Sequence, residues 1–417
     1  MGCRAGTWPG EGVVLEVAWV GVDVGKAHHW VVVEDPQGRV VLSRRVANDQ
    51  QQIARVVAEV SKLAGRLVWT VDLTTAEAAL LLAVLFSGGQ TVRYLSGRAV
   101  NQAAASYRGE GKTDARDAHV IADQARMRHD LPVLRPGDDL VAELRLLVAQ
   151  RADLVGDRTR TLNRLRQHLT AVCPALERAA EPASQGGWLV LLARYQRPAA
   201  IRRAGVGRLS GLLVAQGVRA GTAQQLAEAA VAAAKTQNLR LAGEEVAAEL
   251  VAALAQQATD LGVRIATLDR QIAGRFGRHR LAKVICSMPG FGFRLGAELL
   301  VAIGDLDQVD SADRLAAYAG LAPVANDSGK RTGRRRRPVR YNRALRRAMY
   351  LAALVAIRCD PAARAYYQRK RAEGKRPIQA TICLARRRTN VLWALMRDHR
   401  TWQPEPPVKP HNQPQAA

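Results

Sequence analysis

The chain has 417 residues, with 62 Lys and Arg against 37 Asp and Glu and a formal net charge of +25 at neutral pH. That length supports two or three domains with proper cores, and no apolar run is long enough to span a membrane. Five scattered cysteines (Cys3, Cys173, Cys286, Cys359, Cys383), with no CxxC pair and no histidine at zinc spacing, exclude a disulfide scaffold and a zinc module; they read as reduced thiols of a cytosolic protein. So large a positive excess calls for a polyanion, and nucleic acid is the leading candidate. The preference for Arg over Lys suits bidentate phosphate contact, although a GC-rich genome favours Arg as well.

In chain order, residues 1–14 are Gly-rich, lack a basic-then-apolar signal pattern and are expected to be a disordered lead-in. Residues 16–24 read as a buried strand, followed by strands over 29–35 and, after the Pro36-Gln37-Gly38 turn, 38–46. Tight connections make these three an antiparallel meander. A helix near 49–64, a strand over 66–73, a helix near 76–86 and a short strand over 91–96 follow. This order matches a ribonuclease H-like (RuvC-like) α/β fold with a mixed sheet.

The acids are placed tellingly in that order. Asp23 ends the first strand and Asp72 the fourth, and in a ribonuclease H-like sheet those strands are neighbours. Asp114 and Asp117 open a helix running to about Arg128; three apart, they share a face with Cβ atoms about 5–6 Å from each other. Carboxylates gathered so closely need a positive partner, and a divalent cation is the usual one. The plainer alternative is Thr113 as an N-cap with two acids complementing the helix terminus, and Asp23 and Asp72 as turn residues.

From Asp139 a leucine stripe (Leu140 to Leu169) marks a long helix, and after a break over 174–207 a second helical stretch runs from about Thr222 to Phe276. Its Leu250, Leu254, Leu261, Ile265, Leu268 and Ile272 suggest a coiled coil within the chain or between protomers. Near Leu281 a further region begins. Met288-Pro289-Gly290-Phe291-Gly292 resembles the turn of a helix-hairpin-helix, in which Gly290 and Gly292 would let backbone approach a phosphate. The alternative is a turn with no ligand. Ser328 lies on a Gly-flanked loop leading into Lys330, Arg331, Arg334, Arg335, Arg336, Arg337 and Arg340, a cluster that would hold phosphates or simply be a solvated loop. The Pro- and Gln-rich tail over 403–417 is expected to be disordered.

Taken together, the sequence resembles the insertion sequence 110 family of transposases, the DEDD recombinases guided by a bridge RNA. The resemblance spans about Ala18 to Arg400. It rests on Gly21-Val22-Asp23-Val24-Gly25-Lys26, on Lys112-Thr113-Asp114-Ala115-Arg116-Asp117-Ala118, on Met288 to Gly292, on Ala317-Tyr318-Ala319-Gly320-Leu321-Ala322-Pro323 and on Ser328-Gly329.

The resemblance implies that Asp23, Asp72, Asp114 and Asp117 form a Mg²⁺-binding tetrad, with Asp72 where the family usually has Glu and Glu77 as a fallback. It implies that Ser328 is the nucleophile that forms a phosphoserine link to DNA, and that Lys112 belongs to the nucleic-acid contacts with the basic loop. It implies noncoding RNA as guide, a homo-oligomer of dimer to tetramer in which the acids of one protomer work with the serine of another, and a bacterial cytoplasmic, nucleoid-associated setting. The implied domains are 15–138 (catalytic, RuvC-like), 139–278 (helical, coiled coil) and 279–402 (helical transposase domain carrying the serine). The alternatives are a RuvC-like metal-dependent junction nuclease, a site-specific DNA invertase, and a nucleic-acid-binding protein without catalysis.

Overall fold

The computed structural model describes residues 15–107, 111, 113–135, 137–180, 186–304, 309–328 and 332–404. The chain divides into two compact units, Met1–Gly137 and Asp138–Ala417. The expected lead-in (1–14) and most of the tail (405–417) lie outside the described residues.

In the first unit, β1 (Leu15–Asp23), β2 (His28–Glu34) and β3 (Val40–Ala47) form the expected antiparallel meander. After α1 (Gln50–Val60), β4 (Ala64–Val71) lies parallel to β1 on its other side. A 3-10 turn at Ala76–Ala78 leads into α2 (Ala79–Ser87), and β5 (Thr91–Tyr94) lies parallel to β4. Two elements were absent from the sequence reading: α3 (Gly97–Ala104), eight residues with Arg98, Asn101 and Gln102 among small ones, and β6 (Val133–Leu134), two residues paired antiparallel with β5 beyond α4 (Asp114–Met127). The resulting mixed sheet runs β3-β2-β1-β4-β5-β6 and keeps β1 and β4 as neighbours.

The two faces of the sheet follow from side-chain alternation. Val20 and Val22 of β1, with Trp69 and Val71 of β4, are fully buried against Ile53 and Val56 of α1 and Leu81 and Leu85 of α2. On the opposite face α4 lies flush on β1 and β2, with Ala118 and Ala122 packed on Val32. Gly21 permits this approach: a Cβ there would stand 2.2 Å from the Ala118 carbonyl oxygen and 2.4 Å from the Ala122 nitrogen. Gly21→Ala is therefore expected to destabilise the unit by about 3 kcal/mol or more, because backbone rather than a flexible side chain must move. Denaturant unfolding checks this; a midpoint equal to the parent's would mean that α4 does not sit so close.

The second unit is helical: α5 (Asp139–Val172), α6 (Pro174–Ala179), α7 (Gly186–Arg194), α8 (Pro198–Ala215), α9 (Ala220–Lys235), α10 (Glu244–Arg278), α11 (Ala282–Ser287), α12 (Phe293–Ile303) and α13 (Ala312–Tyr318), then a short hairpin of β7 (Val324–Ala325) and β8 (Arg335–Arg336), then α14 (Arg343–Cys359), α15 (Pro361–Ala372) and α16 (Pro377–Arg397). The expected break over 174–207 instead carries α6, α7 and the start of α8. Pro174 and Pro198 sit at first helical positions, where a missing N–H costs nothing, so they start helices rather than stop them. The expected continuous stretch from Thr222 to Phe276 is interrupted between α9 and α10, where Gly243 turns into the left-handed region at φ 76°.

Helices α5 and α10 pack antiparallel within the chain, as Glu143–Arg275 (2.6 Å) and Arg151–Asp269 (2.6 Å) pair in opposite order along them. Val251, Leu254, Leu261 and Ile272 are buried, whereas Leu250, one of the expected seam positions, points outward. Burial alone would raise the Asp269 carboxyl, but Arg151 and Arg294, each 2.6 Å away, outweigh it and hold the group below the usual carboxylate range. One acid thereby ties α5, α10 and α12 together.

Candidate active site

The parallel register of β1 and β4 sets Val22 opposite Val71, so the next residues, Asp23 at the last position of β1 and Asp72 just beyond β4, come at the same end of neighbouring strands. Asp23 follows the alternation of β1 onto the face that α4 covers, as Gly21 does. The Oδ1 of Asp72 accepts a hydrogen bond from the Val24 N–H at 3.2 Å, and a Cβ on Gly97, the first residue of α3, would lie 3.7 Å from its Oδ2. Burial pushes the Asp72 carboxyl above the usual carboxylate range, and the negative charge of Asp117 adds to the rise.

Asp114 and Asp117 stand in the first turn of α4, and Thr113 is its N-cap, accepting from the Arg116 N–H at 3.2 Å. The capping alternative is thus realised without displacing the other reading, since Asp117 still acts on Asp72. The arginine between them is spent on backbone: Arg116 donates to the carbonyls of Gly111 (2.6 Å), Tyr107 (3.1 Å) and Ala104 (3.3 Å), bracing the approach to the helix. Glu77, the fallback acid, is engaged elsewhere. Its Oε2 accepts from the Thr75 hydroxyl at 2.6 Å, which holds its carboxyl below the usual range.

Among the described residues, no three acidic, histidine or cysteine side chains stand close enough to enclose a metal ion. Mg²⁺ does not require such a cage: it retains water and is commonly held by one or two carboxylates together with substrate phosphate oxygens. Adjacent carboxyls at a strand edge, one of them resisting ionisation beside another acid, fit that kind of partial ligation.

A neighbouring polar group was missed in the sequence. Glu34, at the end of β2, is fully buried, with its Oε1 2.7 Å from Nδ1 of His119 and its Oε2 3.9 Å from Nε of Arg126. Burial raises the Glu34 carboxyl, and contact with Glu34 raises the His119 imidazole. Asp123 extends the group, meeting Arg126 and the Tyr107 hydroxyl at 2.5 Å each. The signal was present: His119, Asp123 and Arg126 recur at helical spacing on the face of α4 that meets an acid closing an apolar strand.

In the second unit, Ser328 is exposed at the end of the strand-like segment that begins with β7. The base of its loop is closed by the Asn326 N–H on the Arg334 carbonyl (2.8 Å) and by the Arg334 N–H on Oδ1 of Asp327 (3.0 Å). Arg334, Arg335, Arg336, Arg337 and Arg340 are exposed, and none has an acidic partner among the described residues. Arg337 donates to the Tyr341 hydroxyl at 3.3 Å, which lowers that phenol, and Arg346 lies 4.8 Å from the centre of the same ring. Lys112, Lys330 and Arg331 lie outside the described residues.

The two glycines of the 288–292 turn differ. Gly290 has φ 90°, and a Cβ there would stand 2.2 Å from the Ala352 carbonyl oxygen, so its freedom serves packing against α14. Gly292 is exposed with open space before it, at the N-terminus of α12.

Comparison with known proteins adds independent findings. A transposase model of the DEDD, IS110 type matches residues 20–174, and the model described as "Transposase IS116/IS110/IS902 family" matches residues 282–368. The 42 kDa protein of insertion element IS900 from Mycobacterium paratuberculosis is 50% identical over 394 residues, 94% of this chain and 98% of that one. The 44.8 kDa protein of insertion element IS116 from Streptomyces clavuligerus is 48% identical over 390 residues, 94% and 97% of the two chains. Among solved structures, Thermus thermophilus RuvC in complex with a Holliday junction substrate aligns over 28% of this chain and 100% of its own, with 16% identity and a TM-score of 0.22.

Proposed function

Because the chain belongs to the IS116/IS110/IS902 family of transposases, enzymes that cut and join DNA, we propose that it does so through a serine-linked intermediate supported by its four strand-edge and helix acids. The observation that carries the reading is the placement of Asp23 and Asp72, each one residue beyond the paired Val22 and Val71 of neighbouring strands, with burial and then the charge of Asp117 raising the Asp72 carboxyl. Asp23, Asp72, Asp114 and Asp117 would share Mg²⁺ with water and phosphate oxygens, and the ion would supply charge neutralisation at the scissile phosphate. The Ser328 hydroxyl attacks phosphorus; one ester P–O bond breaks and releases a DNA hydroxyl, while the phosphate stays on the serine. A hydroxyl of the second DNA strand then displaces the serine, and the bond count is restored without an external energy source. The exposed guanidiniums of Arg334 to Arg337, which have no acidic partner among the described residues, grip the backbone beside that serine and stabilise charge on the phosphoryl group.

Choice of site falls to a noncoding bridge RNA pairing with target and donor, with the protein reading backbone and shape. An oligomer, dimer to tetramer, brings the acids of one protomer to the serine of another. Mixing the protein with Mg²⁺, junction DNA and the RNA encoded beside its gene is expected to give a protein–DNA adduct that survives denaturation. Omitting the RNA is expected to abolish it; an undiminished adduct without RNA would remove the guide from the mechanism.

Replacing Arg334, Arg335, Arg336 and Arg337 by Gln is expected to weaken duplex binding and to reduce the slope of log affinity against log salt by roughly one for each arginine that meets a phosphate. Titrations at several salt concentrations read this directly. An unchanged slope would assign the cluster to solvent.

A further inference from the structure

Helices α15 and α16 and residues 399–404 border a cavity of about 1220 Å³. Its wall is largely apolar, with Met288, Leu384, Leu395 and Trp402, and Tyr366 stands on it half-buried. Three cations gather around the Tyr366 ring: Arg369 at 5.0 Å, Arg387 at 5.1 Å and Lys370 at 5.6 Å from its centre. The other charges nearby are matched, Lys370 by Glu373, Arg388 by Asp360 and Arg400 by Asp398. Arg369 and Arg387 are exposed and have no acidic partner among the described residues. Each of these two guanidiniums keeps an unmatched charge beside the same ring, and an anion that meets either one supplies the missing partner.

An apolar hollow with aromatic walls and two unmatched guanidiniums at its rim has the chemistry of a site for a flat base with an attached phosphate. A duplex presents phosphates but keeps its bases stacked inside, so only an unpaired nucleotide offers both. We propose that this cavity holds an unpaired nucleotide of a single DNA strand, with its base against the aromatic wall of Tyr366 and Trp402 and its phosphate met by the guanidiniums of Arg369 and Arg387. DNA is the strand because the chain is an enzyme that cuts and joins DNA, and cut ends supply unpaired nucleotides. The inference is independent of the serine, the cation and the RNA.

The test uses the full chain without divalent cation and measures fluorescence anisotropy with a labelled oligothymidylate, an oligouridylate and a blunt duplex of equal length. Arg387→Gln and Tyr366→Leu are each expected to weaken oligothymidylate binding about tenfold and to leave duplex binding within about twofold. Arg387 is exposed, so its variant keeps the test valid if Tyr366→Leu fails to fold. In the unsubstituted chain, a 4-thiothymidine oligonucleotide is expected to crosslink to peptides carrying Tyr366 or Trp402. Unchanged oligothymidylate affinity in Arg387→Gln, equal loss on the duplex, or crosslinks confined to other segments would overturn the proposal. Tighter binding of oligouridylate than of oligothymidylate would overturn the assignment to DNA.

Discussion

Asp72→Asn is expected to reduce DNA cleavage by roughly 10³-fold or more while leaving DNA binding within about twofold. On the proposed mechanism the acid edge meets the scissile phosphate while most affinity comes from arginines elsewhere, so the two readouts separate. The same variant is expected to be more stable than the parent at neutral pH without divalent cation. Burial and then Asp117 raise the folded-state carboxyl of Asp72 above its unfolded value. Ionisation therefore costs folding free energy: stability falls as pH rises from the unfolded pKa through the folded one, and the penalty persists above both. Asn carries no such penalty, so its unfolding midpoint should rise as activity disappears. Asp72→Glu keeps a carboxylate at that position and should retain cleavage. The raised carboxyl also predicts that acidification slows the parent at a higher pH than an ordinary carboxylate would, and that added Mg²⁺ offsets this by competing with the proton. A variant that cleaves normally, or loses binding and cleavage in equal measure, would remove Asp72 from the chemistry.

Much of this edge was legible because two short-range patterns sufficed. Apolar runs ending in Asp23 and Asp72 read as strands, and the order of strands and helices alone makes β1 and β4 neighbours, as they are in the sheet. The spacing of Asp114 and Asp117 required only a helix beginning at Thr113, which formed with that residue as its cap. Long-range contacts were less legible. That Gly21 is small because α4 crosses it, or that Gly290 turns because α14 lies behind it, depends on contacts 97 and more and about 60 residues away in the chain, respectively. Glu34 closes an apolar strand, and although the helical spacing of His119, Asp123 and Arg126 marks a polar face, only the packing of α4 on β2 brings the two together. Pro174 and Pro198 misled because a proline marks both the end of one helix and the first turn of another, and only packing decides between them. The cavity beside Tyr366 escaped for the same reason: it is assembled from α15, α16 and the residues after α16, none of which carries a recognisable motif alone.

Ser328→Ala is expected to abolish the covalent protein–DNA adduct completely while changing stability by less than about 0.5 kcal/mol, the usual scale for an exposed residue outside a packed contact. The loop itself is held by groups the substitution leaves alone, the Asn326 and Arg334 backbone and the Asp327 carboxylate, so a lost adduct reports a lost nucleophile and not a lost loop. Asp327→Ala is the matching control: it removes the hydrogen bond to the Arg334 N–H while keeping the hydroxyl, and should slow adduct formation without eliminating it. The ends of the DNA discriminate between mechanisms. If Ser328→Ala still cuts, leaving free phosphate and hydroxyl ends, water activated at the acid edge is the nucleophile and the enzyme works as a junction nuclease would. If it neither cuts nor forms an adduct while binding DNA as the parent does, the hydroxyl of Ser328 carries the phosphoryl group between strands, and the acids act on that group alone.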